Sequence, residues 1–143
     1  MRQTHLKINY LVAPADKIPT SAGEFNKAII VLAIQDIENM TGVVSESARV
    51  LKSGGELFIV INHPAFRIPK RSSWGYDQKT GRQFRQVDEY MSEARVKIDV
   101  HPGADKNQAT TSFHRPLQTY FKAFQKSGFV VSRLEEWVST KQS

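Results

Sequence analysis

Two stretches of the chain are almost free of polar residues, and the order of patterns around them, more than any single residue, predicts the architecture. Phe25 to Ile34 contains the longest apolar run, Ala28 to Ile34, which predicts a strand buried on both faces at the centre of a parallel sheet. Glu56 to Ile61, Glu-Leu-Phe-Ile-Val-Ile, predicts a second such strand. Between them, Val44, Ala48 and Leu51 recur at helical spacing, so Thr41 to Lys52 predicts an amphipathic helix with Thr41 as its cap and Gly54 just past its end. Strand, helix, strand in this order is one crossover unit of a parallel sheet.

The flanks are less regular. Ile8 to Ala13 predicts a short strand ending at Pro14, followed by a loop from Pro14 to Glu24. Ala65 to Asn107 is polar and broken by Pro, Gly and Ser, which predicts loops with an excursion of strand around Phe84 to Val100. After Pro116, the residues Leu117, Tyr120, Phe121 and Phe124 fall on one helical face and Gly128 marks the stop. Phe129 to Val138 predicts a closing strand. The class is therefore α/β, a class that hosts many unrelated functions.

At 143 residues one domain is expected. It divides into a strand-loop-strand-helix-strand core (1–64), a polar segment (65–107) and a helix with a closing strand (108–143). No apolar run approaches the roughly 20 residues that cross a bilayer. The first residues resemble no secretory leader, so a cytoplasmic location is expected. With no cysteine there is no disulfide, no thiolate nucleophile and no Cys-based zinc site, and no metal site is expected. The formal charge of +6 suits an anionic partner, but basic residues are spread along the chain with acids among them. No groove-reading or single-strand-binding motif accompanies the charge, so a nucleic-acid-binding module is the weakest of the functional readings.

Local wording narrows the class. The run Phe-Asn-Lys-Ala-Ile-Ile-Val-Leu-Ala-Ile-Gln-Asp-Ile-Glu-Asn, then Ser-Ala-Arg-Val-Leu-Lys-Ser-Gly-Gly-Glu-Leu-Phe-Ile-Val, resembles the fourth strand, following helix and fifth strand of class I S-adenosylmethionine-dependent methyltransferases. Phe113 to Leu117 and Ser127 to Val131 resemble the later helix and sixth strand of the same family. The resemblance implies a partial Rossmann-like sheet, with strands resembling the third to sixth, flanking helices and a lid-like insertion after the fifth strand. It also exposes a departure. The family's Gly-x-Gly turn, which lets bare backbone approach the cofactor, has no counterpart among the eight glycines, and a final antiparallel strand has none either. On the family pattern the chain is expected to be truncated at both ends, and Ile8 to Ala13 then lacks its neighbour in the sheet. That strand is expected to pair elsewhere, to cross to another copy in a homodimer, or to meet a complementing chain.

The resemblance also assigns roles. S-adenosyl-L-methionine is the implied cofactor. Ala15 falls at the backbone contact to adenine, with Pro14 where an acidic residue usually stands and Asp16 as its substitute or as an ordinary loop acid. Val31 and Leu32, at the carboxyl end of the fourth strand, fall beside the reactive methyl, and Asp36 is the nearest titratable group, either there or as a bias on the next helix. Methyl transfer needs alignment, exclusion of water and, for some acceptors, removal of a proton. His63 and His114 have the pKa range for that base, against a structural role for each. In the lid segment Phe66, Trp74 and Tyr76 offer stacking surfaces for a small-molecule acceptor and Arg67 a charge, against a satellite core and a solvated loop. The rival reading is a non-catalytic remnant or partner subunit that retains the acceptor half of the fold.

Overall fold

The unbroken apolar run forms strand β1, Phe25–Val31, and the computed structural model describes residues 8–99 and 109–137 around it. A 3-10 turn at Ile34–Asp36 leads to helix α1, Met40–Val50, and then to strand β2, Leu51–Val60. β1 and β2 pair in parallel with α1 between them, the arrangement that the pattern predicts. The helix begins earlier than the spacing of Thr41 suggests. Asn39 is the cap, its side chain accepting the Gly42 N–H at 3.0 Å, because an amide oxygen one residue before the first turn reaches that orphan donor better than a residue already inside it.

β2 also begins earlier than Glu56. Its register jumps from Phe25 opposite Leu51 to Lys27 opposite Glu56, so the residues between Leu51 and Glu56 bulge from the ladder. Gly54, at φ 75°, supplies the left-handed turn of that bulge, and a side chain on Gly55 would meet the Lys52 carbonyl oxygen at 2.9 Å.

The core lies on one side of the parallel pair. Ile34, Met40, Val43 and Val44 pack with Tyr120 and Ala123 of helix α2, Leu117–Lys126, and Ile30 and Ile59 approach from the strands. Each fully buried Ile or Val contributes about 1.5–3 kcal/mol. The opposite face is open. Ile29 is 69% exposed and its cross-strand partner Phe58 is 46% exposed, and β1 has no neighbour on its outer edge among the described residues. This corrects the expectation of a strand covered on both faces.

Ile8 to Ala13 forms no strand, and Tyr10 and Val12 stand in solvent, because no neighbouring edge receives their backbone groups. Residues 129–137 are likewise without regular structure for want of a paired edge, and the last residue of the expected closing strand, Val138, lies outside the described residues.

The polar segment holds more strand than its pattern predicts. β3, Ser72–Asp77, and β4, Arg82–Val87, form one antiparallel hairpin, and β5, Ala94–Asp99, pairs antiparallel with β6, Ala109–His114. The expected excursion ran to Val100, and that residue lies outside the described residues. The β3–β4 turn is built by Asp77, whose carboxylate accepts the Lys79 N–H and the Thr80 hydroxyl. Both contacts hold the Asp77 carboxyl below the usual carboxylate range, the Thr80 hydroxyl most strongly. Among the described residues, no helix is long and apolar enough to cross a membrane.

Candidate functional site

β1 leaves its sheet through an unusual backbone turn. Leu32, at φ 49°, is a left-handed residue that is not glycine, held there by its N–H donating to the Val60 carbonyl at 2.8 Å. Gln35 donates from its amide to the Leu32 carbonyl at 2.6 Å. The reversal carries Gln35 and Asp36 to the carboxyl end of β1, beside Asn62 and Pro64 at the carboxyl end of β2.

A cleft of about 310 Å³ opens there. Its walls come from five places: the turn after β1, the segment after β2, the β3–β4 hairpin, Ile98 of β5, and the stretch where β6 runs into α2. Polar side chains converge on it from each, among them Asp36, Asn62, Arg67, Arg85, His114 and Arg115. A second hollow of about 380 Å³ lies against the outer side of α2, where Phe121, Phe124 and Phe129 line it with Lys122 as its one charged residue. It adjoins no strand end, so the first cleft is the candidate site.

His114 is 5% exposed. Its Nε2 lies 2.8 Å from the Tyr90 carbonyl oxygen. A carbonyl only accepts, so Nε2 carries the proton and Nδ1 is left as the acceptor atom. Tyr90 also fixes the start of α2, its hydroxyl accepting the Leu117 N–H at 3.0 Å. Arg115 beside it is buried, and its Nη2 donates to the carbonyls of Ile37 and Glu38 at 3.0 and 2.7 Å, tying the end of β6 to the start of α1. Tyr120 closes the floor of the cleft. Burial pushes its phenol above the usual tyrosine range, and the Arg115 guanidinium pulls the other way.

The structure brings only part of the expected set together. Asp36, Arg67 and His114 line the cleft. His63 does not. Its Nδ1 accepts the Ala65 N–H at 3.1 Å, its Nε2 sits 2.5 Å from Glu136, and its ring packs on Phe66, so both nitrogens are engaged in fixing the chain after β2. Phe66, Trp74 and Tyr76 face solvent, and Trp74 carries the Arg85 guanidinium over its ring at 5.2 Å. Val31 and Leu32 stand exposed at the carboxyl end of β1. Ala15 is exposed, and Asp16 accepts from the Asn39 side chain at 2.7 Å, which joins the Pro14 to Glu24 loop to the capped end of α1.

The same loop is clamped farther along. Glu46 accepts the Ile18 N–H at 2.6 Å while Arg49 pairs with Glu46 at 2.7 Å and donates to the carbonyls of Ile18 and Thr20. The Arg49 hydrogen bond, then the Ile18 N–H, lowers the Glu46 pKa to about 2.

Gln35, Asn62, Arg85, Arg115 and Tyr120 are the cleft residues that the sequence pattern leaves without a role. Arg115 stands in the quoted Phe-His-Arg-Pro run, next to His114, and that adjacency was the available signal. Tyr120 reads as one more apolar helix position, and Arg85 is hidden in a polar strand. Among the described residues, no group of three His, Asp or Glu side chains is placed to hold a metal ion.

Comparison with known proteins returns a family profile and solved structures that resemble this chain. The methyltransferase-domain family profile matches residues 1–59. An S-adenosylmethionine-dependent methyltransferase from Mesorhizobium loti superposes with a TM-score of 0.74 at 26% identity, over 87% of this chain and 54% of that one. A Listeria monocytogenes protein assigned to the same activity superposes with a TM-score of 0.65 at 24% identity, over 81% of this chain and 52% of that one, a likeness of fold alone. The chain thus spans about half the length of the solved structures it matches. No curated protein matches it.

Proposed function

We propose that the chain is part of a class I S-adenosylmethionine-dependent methyltransferase, a reading supported by the family profile over residues 1–59 and by the shared fold, and that its polar cleft is the acceptor side of a methyl-transfer site for a small molecule. The observation that carries this reading is the position of the cleft beyond the carboxyl ends of two parallel strands, where open α/β sheets bind their ligands. On this reading β1 and β2 correspond to the family's fourth and fifth strands, and β3 to β6 form the insertion that shapes the acceptor pocket.

The residues fit the cofactor at one end. Val31 and Leu32 leave apolar side chains uncovered at the carboxyl end of β1, as the methyl-bearing end requires, whereas Asp16, the expected adenosine contact, is already bonded to Asn39. When bound, the cofactor supplies an electrophilic methyl group on a sulfonium. Everything else falls to the chain. Ile68, Pro69 and Phe113 exclude water along one wall, and Gln35 with Asn62 orients a polar acceptor. His114 Nδ1 takes the acceptor's proton, its tautomer held by the Tyr90 carbonyl. Tyr120, neutral at ordinary pH, serves as a hydroxyl donor.

A second reading is favoured by the open face of β1 and β2. There the chain is an acceptor half that needs a second copy or a complementing chain over Ile29 and Phe58 before cofactor binds. Calorimetric titration of the chain with S-adenosylmethionine and with its demethylated product separates the two. A binding isotherm supports transfer by this chain; no heat at high micromolar ligand supports the half-site.

A further inference from the structure

Three buried polar atoms without a hydrogen-bond partner belong to side chains that line the cleft: Arg115 Nη1, Arg85 Nε and Gln35 Oε1. Each belongs to a side chain whose other polar group is engaged. Arg115, 7% exposed, donates from Nη2 to the Ile37 and Glu38 carbonyls. Arg85 donates from Nη2 to the Phe66 carbonyl at 3.0 Å and the Ser72 hydroxyl at 2.6 Å. Gln35 donates from its amide nitrogen to Leu32 and leaves its oxygen unused. Two backbone carbonyls hold Arg115, and one backbone carbonyl with the Ser72 hydroxyl holds Arg85, leaving the two N–H groups of Arg115 Nη1 and the single N–H of Arg85 Nε.

Charge points the same way. Arg67, Arg85 and Arg115 line the cleft against one carboxylate, Asp36. Among the described residues, no carboxylate lies within 4.0 Å of any of the three, although Arg49, Arg71, Arg95 and Arg133 each have a carboxylate partner. A buried guanidinium without a counter-charge and an unmet buried N–H are both costly, and an anion in the cleft relieves both at once.

We propose that the cleft binds a small carboxylic acid, its carboxylate accepting from Arg115 Nη1 and Arg85 Nε and an adjacent hydroxyl or amine of the same molecule donating to Gln35 Oε1. The two orphan donor nitrogens, one on each arginine, can each serve one oxygen of a carboxylate. Asp36 on the same wall repels the second charge of a phosphate dianion, which disfavours it against a monoanionic carboxylate. Ile68, Pro69, Ile98 and Phe113 supply the apolar surface for the body of the acid. The proposal rests on the reading of this cleft as the acceptor site, and it narrows the acceptor to an anionic class.

Calorimetric titration of the whole chain with salicylate, benzoate, benzamide and inorganic phosphate tests it. Salicylate is expected to bind tightest, benzoate next, and benzamide about tenfold or more weaker than benzoate, since a hydrogen bond to a charged group is lost. Arg85→Gln is expected to weaken benzoate by about tenfold with little change for benzamide. Arg115→Met is expected to do the same, and the Arg85 variant carries the test if loss of the Ile37 and Glu38 contacts unfolds it. Equal binding of benzoate and benzamide overturns the proposal, as does phosphate binding more tightly than benzoate. Selective benzoate binding sustains it even where the S-adenosylmethionine titration is flat, so failure of the methyl-transfer reading and failure of the carboxylate reading give different results.

Discussion

Ile29 and Ile34 sit five positions apart in one apolar run, yet one is 69% exposed and the other 0% exposed. The first lies on the open face of β1. The second has left the strand and turned into the core beneath α1 and α2. The same side chain is thus a structural anchor in one place and an uncovered contact surface in the other. A similar contrast separates the two halves of the molecule. The parallel pair with its helices is apolar and holds the core, whereas the antiparallel pairs are polar and supply Ser72, Arg85, Ile98, Ser112, Phe113 and His114 to the cleft. The packed half can lose little; the polar half can be altered with smaller effect on the fold.

The largest effect is therefore expected at Ile34. Ile34→Ala removes a fully buried side chain from the core cluster shared with residues of both helices, and is expected to cost about 2–5 kcal/mol in urea denaturation. A cost below about 1 kcal/mol would show that Ile34 does not anchor the packed half. Gly75→Val is next. A Cβ at Gly75 meets the Phe84 ring at 2.3 Å, so the ring must leave the face of the β3–β4 hairpin, at about 1–3 kcal/mol. Amide exchange is expected to quicken in β3 and β4 and to stay slow in α1; uniform quickening would mean that the halves do not melt separately.

Asn39→Ala removes the cap from α1 and the tie to Asp16 together, with an expected loss of about 1 kcal/mol on thermal melting. The Glu46 clamp gives a pH test. Its pKa is depressed in the folded chain, so its stabilisation of the Pro14 to Glu24 loop is fully present above the ordinary glutamate value of 4.5 and is lost as pH falls through about 2. Faster exchange of the Ile18 amide over that window in the native protein, and no such window in Glu46→Gln, is the expected result. Ile29→Lys is the smallest, within about 0.5 kcal/mol in the chain alone, because the side chain is already in water. A larger destabilisation would reveal a partner covering that face in solution, which light scattering would register as a larger particle.

How much was legible follows the same division. β1, α1, β2 and α2 are written in the spacing of apolar residues, because burial on one side or both imposes a period. β3 and β4 are Ser-Ser-Trp-Gly-Tyr-Asp and Arg-Gln-Phe-Arg-Gln-Val, with no alternation to read, since neither face of that hairpin is buried deeply enough to demand one. Ile8 to Ala13 shows the converse error. Its apolar residues suit a strand, and the absence of a paired edge among the described residues leaves them in solvent.

The residues of the cleft repeat the lesson at the level of chemistry. His63 and His114 are equivalent by sequence, both lone histidines near an element's end. Only the fold engages both nitrogens of the first with Ala65 and Glu136 and sets the second, with Nδ1 unspent, among Arg115, Asp36 and Tyr120. What the sequence determined by itself was the α/β class, the order of the principal strands and helices, and the methyltransferase resemblance, since each rests on local spacing and wording. Only the tertiary structure decided which face of β1 is covered, which histidine enters the cleft, and that three arginines from separate segments converge there. Those outcomes depend on contacts between residues far apart in the chain, which no local pattern encodes.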